Sequence, residues 1–134
     1  MSANGWKTVQ LSEVIDPARP ITYGIVVPGP QDQNGNLMIR AQDYSRGWAK
    51  PSTVYRVSEK IDISYKRSRV KVGDVLLTIV GSVGNLAIVP NEFAGANLTQ
   101  QTARLAFNSE CADAVFYCAY LQSYFGRQEI YRYT

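Results

Sequence analysis

The stretch GDVLLTIVGSVGNLAIVP, residues 73–90, constrains the fold of this chain more than any other. Two apolar, partly β-branched runs flank a short loop that contains Gly81 and Gly84. Glycine-rich loops that hold a nucleotide lead from a strand into a helix, whose N-terminus attracts the phosphates. Here a second apolar run follows, so the pattern predicts a hairpin of two buried strands. The loop is either a purely structural turn or a place where the backbone approaches a partner closely.

The remaining segments predict one α+β domain spanning residues 1–134. A length of 134 residues suits a single core, and 46% hydrophobic with 19% charged residues is typical of a folded chain. Alternating or β-branched runs predict six or seven strands in one mostly antiparallel, mixed and twisted sheet. Near the C-terminus, Cys111, Val115, Cys118, Leu121 and Phe125 fall on one stripe of a helix that begins near Asn108 and packs on the sheet.

The composition argues against most catalytic chemistry. The chain has no histidine, which excludes Ser-His-Asp triads, Cys-His pairs and the HExxH zinc site. Two cysteines cannot by themselves close a structural zinc site. We therefore expect a non-catalytic protein with no metal and no cofactor, and a small hydrolase built on carboxylates or lysine is the weakest alternative. The N-terminus has no secretory pattern and no run is long enough to cross a bilayer, so we expect a cytoplasmic protein without a membrane partner.

Positive charge is concentrated in one third of the chain. Residues 40–71 contain nine basic and three acidic residues, a net charge of +6, whereas the rest carries five basic and eight acidic residues, or −3. Aromatic and polar side chains are interleaved with these cations, as at Tyr44, Trp48 and Tyr65. This mixture suits a nucleic-acid surface, because cations attract phosphates and polar side chains read base edges. A solvated basic face is the alternative.

The order of several short motifs resembles a target recognition domain of the specificity subunit of type I restriction-modification systems. The matching pieces are WKTVQLSEV from Trp6, ITYG from Ile21, MIRAQDY from Met38, VKVGDVLL from Val70 with GSVG from Gly81, NLTQ from Asn97, and the helix from Phe116 to Phe125. The resemblance covers nearly the whole chain and rests on the order and spacing of motifs that are individually loose.

The resemblance implies sequence-specific readout of double-stranded DNA, with this domain reading one half of a bipartite target. It also implies partners: methyltransferase (modification) and restriction subunits in the full-length protein perform the chemistry. The full subunit of that family has two such domains joined by long helices. Since this sequence has one domain and no long helix, we expect it to be one half of a longer specificity subunit.

Candidate DNA contacts fall into five groups. The cations that sit together rank first, and two further cations follow. Loop polar groups could donate to phosphate or sugar, or could simply complete the turn. Two adjacent glutamines could read adenine or satisfy a strand edge, and one tyrosine lies either in the core or at the rim. The clustered cations are Lys66, Arg67 and Arg69, and the two further cations are Arg46 and Lys50. The loop groups are Ser82 and Asn85, the glutamines are Gln100 and Gln101, and the tyrosine is Tyr23. Arg40, in contrast, is expected to pair with Asp43 or another carboxylate.

A second hypothesis is a protein-interaction module that docks on a partner methyltransferase or another subunit. It is motivated by tyrosines concentrated in the C-terminal helix and tail, namely Tyr117, Tyr120, Tyr124, Tyr131 and Tyr133.

Overall fold

A computed structural model describes residues 10–81, 83–110 and 112–132. Seven strands are present in this part of the chain: β1 Thr22–Tyr23, β2 Asn36–Ile39, β3 Arg56–Val57, β4 Val75–Thr78, β5 Leu86–Ile88, β6 Asn97–Leu98 and β7 Thr102–Leu105. The α-helices are α1 Leu11–Val14, α2 Glu59–Ser64, α3 Ala114–Gln122 and α4 Tyr124–Arg132. Short 3-10 turns occupy Ala41–Asp43, Pro51–Thr53, Lys66–Ser68 and Asn91–Phe93. The predicted α+β class is confirmed.

The strands form two sheets rather than the single sheet that was expected. One is antiparallel, in the order β1-β7-β4-β5, and the other has the order β3-β2-β6 with β2 and β6 parallel. An isolated bridge between Ile25 and Thr99 links them. Gly24 permits this link, because a Cβ at that position would lie 2.0 Å from the carbonyl oxygen of Leu98. The alternation of apolar residues could not reveal this division, which depends on a backbone crossing.

The predicted hairpin is confirmed. β4 and β5 pair antiparallel with Val75 opposite Ile88 and Leu77 opposite Leu86. The loop between them is closed by the amide of Thr78, which donates to the carbonyl of Asn85, and by the amide of Gly84, which donates to the carbonyl of Thr78, both at 2.9 Å. We call residues 79–85 the hairpin loop.

The four-stranded sheet buries both of its faces. On one face, Val75 of β4 and Leu105 of β7 pack with Cys118 and Leu121 of α3. On the opposite face Leu76 belongs to a second core, with residues of the second sheet, of the 3-10 turn Asn91–Phe93 and of the connecting segments, namely Ile39, Tyr44, Val54, Val70, Val89, Phe93, Ala96 and Leu98. Apolar burial on both faces supplies the main driving force for this arrangement.

Tyr44 places a polar group inside the second of these cores. Its hydroxyl lies 2.6 Å from Thr78 Oγ1 and 3.0 Å from Thr102 Oγ1, so it satisfies hydroxyls on both β4 and β7. Burial raises the pKa of the Tyr44 phenol, although both threonine bonds act in the opposite direction. The phenol therefore stays protonated and links a 3-10 turn to the sheet.

The C-terminal helix packs on the sheet as predicted, but it begins later and is broken. Asp113 caps α3, since its carboxylate accepts from the amides of Val115 at 2.8 Å and Phe116 at 3.1 Å. The prediction of a start near Asn108 was therefore wrong, and Val115 is 66% exposed instead of buried. Helix α3 ends at Gln122 with Ser123 as its C-cap, and α4 begins at Tyr124. Cys111 and the side chain of Phe125, also assigned to the stripe, lie outside the described part.

The segments before β1 and after β7 run side by side. Ile15 and Phe107 form an isolated antiparallel bridge. The amide of Asp16 donates to the carbonyl of Ala106, and the amide of Asn108 donates to that of Val14, both at 2.8 Å. Residues 15 and 107 are thus neighbours although almost the whole sheet lies between them in the sequence.

Candidate nucleic-acid interface

An open cleft of about 900 Å³ lies where β1, β7 and the segment after α2 meet. One wall is formed by residues 18–22, and the opposite wall by residues between Lys66 and Val72. We call residues 66–71 the basic segment. In the described part of the chain, six cations and no carboxylate line the cleft: Arg19, Lys66, Arg67, Arg69, Lys71 and Arg104. Such a concave, one-signed surface attracts anions because low-dielectric walls focus the field.

Three of these cations have exposed side chains on the basic segment. Lys66, Arg67 and Lys71 are exposed, and none of them has a carboxylate within ion-pair distance among the described residues. Cationic side chains without a carboxylate partner can neutralise nucleic-acid phosphates, and the nucleic acid then releases its bound counterions.

Arg69 differs from its neighbours because its guanidinium is already engaged. Its Nη2 donates to Asp62 Oδ2 at 2.7 Å and its Nε to Asp62 Oδ1 at 3.3 Å. Burial raises the pKa of the Asp62 carboxyl, but hydrogen bonds from Arg69, Asn36 and Asn97 outweigh burial and hold the pKa below its ordinary value. The same hydrogen bond raises the pKa of Arg69. This ion pair ties the basic segment to α2.

Asn97 fixes the basic segment from beneath. This fully buried side chain accepts from Ser68 Oγ at 2.5 Å and from the amide of Leu98 at 2.9 Å. Its amide nitrogen donates to Asp62 Oδ1 at 2.9 Å and to the carbonyl of Tyr65 at 3.2 Å. A buried amide with every group paired specifies one conformation of the turn that it contacts.

Arg104 closes the floor of the cleft. It comes from the central strand β7 and is 3% exposed. Its Nη1 donates to the carbonyls of Arg67 and Arg69, the latter at 3.0 Å, and its Nη2 donates to the carbonyl of Pro20 at 2.9 Å. Burial and the positive charge of Arg19 lower the pKa of the Arg104 guanidinium. Its Nε has no hydrogen-bond partner among the residues that the structure describes.

Arg19 secures the wall formed by residues 18–22. Its guanidinium donates with both terminal nitrogens to the carboxylate of Asp74, at 2.7 and 2.5 Å. The same carboxylate accepts from the amide of Lys71 at 2.8 Å. Both walls are therefore attached to each other through buried or half-buried ionic groups, and bidentate pairs of this kind fix orientation well.

The predicted contact residues do not all gather at the cleft. Lys66, Arg67 and Arg69 line it together, and Tyr23, 59% exposed, follows directly after the cleft residue Thr22. Arg46 and Lys50 are exposed but do not line it. The expected pair between Arg40 and Asp43 is present, with Nε to Oδ2 at 3.3 Å.

The glutamines and the hairpin loop form a separate group. Gln100 and Gln101 are exposed in the turn before β7, and the carbonyl of Gln101 accepts from the amide of Ile79 at 2.8 Å. Asn85 is half-buried, and its side chain makes no hydrogen bond to the described residues. Ser82 lies outside the described residues. The structure thus brings Gln101 beside the hairpin loop.

Sequence reasoning missed Arg19, Lys71, Asn97 and Arg104 as parts of this surface. A signal existed for Arg104, because an arginine within a fully buried strand requires acceptors from elsewhere in the fold. Asn97 was noted only as part of a motif. Arg19 lies 55 positions from its partner, and only the tertiary structure joins the two.

Sequence comparison relates this chain to part of a known protein. No family model matches the chain. The type I restriction enzyme EcoBI specificity subunit of Escherichia coli is 36% identical over 101 residues, which are 75% of this chain and 21% of that protein. The chain is homologous to part of a type I specificity subunit. It spans about a fifth of that relative's length.

Two solved structures share the fold. The HsdS subunit of Thermoanaerobacter tengcongensis superposes with a TM-score of 0.69 and 19% identity, over 97% of this chain and 30% of that one. A chain from a structure on complex assembly and conformational transition of the type I restriction-modification system gives a TM-score of 0.63 and 18% identity, over 96% and 32%. The predicted resemblance to a specificity subunit is confirmed.

The homologues are specificity subunits, a non-catalytic component of restriction-modification systems. This supports the prediction that the chain is not an enzyme. Within the described ranges no group of three or more His, Cys, Asp or Glu is placed to hold a metal ion. None of the helices there is both long and apolar enough to cross a bilayer.

Proposed function

We propose that this chain is a target recognition domain that reads one half of a bipartite double-stranded DNA sequence. The observation that carries the proposal is the basic cleft, whose six lining cations include three with uncommitted head groups. The homology to a specificity subunit supports the same assignment. In the complete protein the domain works with methyltransferase and restriction subunits in the cytoplasm, as one of two such domains.

The proposal assigns different roles to the residues around the cleft. Lys66, Arg67 and Lys71 contact phosphates, which positions the domain on the duplex without reading sequence. Arg69 holds the basic segment through its ion pair with Asp62. Exposed polar and aromatic side chains read the bases. The candidates from the sequence are Tyr23, which follows a cleft residue, and Gln100 and Gln101, which lie with the hairpin loop. The hairpin loop with Ser82 and Asn85 supplies further backbone or phosphate contacts.

Selection of a randomised duplex library by the purified domain at low salt tests the proposal. A short enriched motif is the expected result, and it names the half-site. Binding that weakens with salt but enriches no motif would refute sequence-specific readout by the isolated domain. Absence of any binding at low salt would reject the proposed function.

A double variant then tests the cleft. Lys66→Ala with Arg67→Ala removes two phosphate contacts, so the slope of log K against log salt should fall by about 2, at roughly 0.9 per contact. The matched control is Arg46→Ala with Lys50→Ala, which removes the same charge from exposed positions that do not line the cleft. Equal losses in both double variants would show that the cleft has no special part in DNA binding, either because net charge alone sets the affinity or because Arg46 and Lys50 are contacts as well.

A protein-interaction surface is the second candidate, favoured by an exposed apolar face on α3. Val115, Phe116 and Tyr120 are 66%, 47% and 44% exposed. Exposed apolar clusters of this kind mark interfaces. Light scattering of the domain with a candidate methyltransferase subunit tests it, and Val115→Ser with Tyr120→Ser should abolish any association while leaving DNA affinity unchanged.

A further inference from the structure

Two buried side chains, Asn97 and Arg104, bind the turn Lys66–Ser68 and the residues next to it in the basic segment. The turn Lys66–Ser68 is only three residues long and carries two exposed cations, whose mutual repulsion opposes any single arrangement. Asn97 holds Ser68 and the carbonyl of Tyr65, at the start of the turn. Arg104 holds the carbonyls of Arg67 and Arg69, at its end.

Arg104 also reaches the opposite wall of the cleft. Its second terminal nitrogen donates to the carbonyl of Pro20, so one planar guanidinium joins both walls. A guanidinium presents its donors in a rigid fork, and the distance between the walls is therefore fixed by its dimensions. Because the guanidinium is buried and bound to three carbonyls, it has little capacity left to contact an anion in the cleft itself.

We propose that Arg104 is a positioning residue for DNA binding, which holds the two walls of the cleft at a fixed separation so that Lys66 and Arg67 meet the duplex backbone preorganised. This inference rests on the proposed function. A preorganised pair of cations binds more tightly than a mobile pair, because the cost of ordering them is met during folding. Asn97 and Ser68 support the same turn from its other end.

The test is Arg104→Lys, which keeps the positive charge but replaces the fork by one ammonium group. We expect the affinity for the selected duplex to fall about tenfold, the size expected when two contacting side chains lose their preorganisation. Faster hydrogen exchange at the amides of Arg69 and Val70, relative to those of β4, should accompany the loss. A wild-type affinity in a folded Arg104→Lys protein would overturn the proposal, because charge alone would then suffice.

Tyr44→Phe is the control for a general loss of stability. It removes a buried hydroxyl that contacts Thr78 and Thr102 on the same sheet, but Tyr44 does not line the cleft. At a temperature where both variants are folded, Tyr44→Phe should bind DNA as the wild type does. Equal affinity losses in Tyr44→Phe and Arg104→Lys would assign the effect to stability and reject a positioning role.

Ser68→Ala provides a second variant if Arg104→Lys does not fold. It changes no charge and removes only one hydroxyl from the turn, so a severalfold loss of affinity would support positioning, whereas unchanged affinity would contradict it. The double variant of Lys66 and Arg67 separates the two proposals. If that variant binds normally, the DNA surface itself is wrongly placed; if it binds weakly while Arg104→Lys and Ser68→Ala bind normally, only the positioning role fails.

Discussion

The basic segment and the hairpin loop are both exposed turns next to the same four-stranded sheet, but they are held in different ways. Three side chains from other elements bind the basic segment: Asp62 of α2 accepts from the Arg69 guanidinium, Asn97 of β6 accepts from the Ser68 hydroxyl, and Arg104 of β7 donates to backbone carbonyls. Backbone hydrogen bonds between β4 and β5 close the hairpin loop, and two contacts come from elsewhere: the amide of Ile79 donates to the carbonyl of Gln101 at 2.8 Å, and Arg127 donates to the carbonyl of Gly84 at 3.4 Å. Backbone groups of neighbouring residues therefore dominate in the hairpin loop, whereas side chains distant in the sequence fix the basic segment.

The largest expected difference between the two regions comes from their asparagines. Asn97→Ala removes four buried hydrogen bonds at once, with Ser68, Asp62, Tyr65 and Leu98. We expect the free energy of unfolding to fall by about 3 kcal/mol. Asn85→Ala in the hairpin loop should cost less than about 0.5 kcal/mol, since its side chain has no described hydrogen bond. Urea denaturation of both variants measures this difference. Similar losses would remove the distinction between the two turns.

A smaller effect is expected within the hairpin loop. Gly81 has φ +80°, and apart from its chain neighbours no atom of the described residues lies within 4 Å of a Cβ placed there. Gly81→Ala should therefore destabilise by about 1 kcal/mol through backbone strain without a clash. Gly81→Asn should recover part of this, because asparagine tolerates the left-handed region better. Thermal denaturation compares the two, and a larger loss for asparagine would show that packing, not backbone conformation, limits this position.

The smallest expected effect is a loss of stability at acidic pH, caused by the Asp62 carboxylate that pairs with Arg69 of the basic segment. The pKa of Asp62 in the folded state lies below its ordinary value of 3.8. Stability from this carboxylate is complete above pH 3.8 and is lost as the pH falls from there through the folded-state pKa. Asp62→Asn should flatten the decline of unfolding free energy in this range. Urea denaturation between pH 5 and about 2 measures the slope, and an unchanged slope in the variant would contradict the assignment.

Much of the fold followed from local patterns. The hairpin at β4 and β5, the α+β class and the packing of a C-terminal helix on the sheet depend on runs of apolar residues and on glycine, which act within a few positions. The division into two sheets did not follow, because it depends on the crossing of Gly24 against Leu98. The late start of α3 was also missed, since Asp113 and not Asn108 supplies the cap.

The candidate site was predicted only in part. Because Lys66, Arg67 and Arg69 are close in the sequence, we predicted that they lie together. In the structure all three line the cleft, which the sequence did not predict. The engagement of Arg69 by Asp62 could not be deduced, because several carboxylates were available to it. Arg104 lies 35 positions from the carbonyl of Arg69, and such long-range polar contacts have no periodic signature in the sequence.

The bridge between Ile15 and Phe107 gives the domain the form of a cassette. The chain enters and leaves the sheets through two adjacent, hydrogen-bonded stretches of backbone, so the segment between Ile15 and Phe107 begins and ends at one place. It also contacts the flanking parts through the apolar face that packs on α3. Under the proposed function, recombination at these two positions that keeps this face would give a protein a new recognition surface in one step.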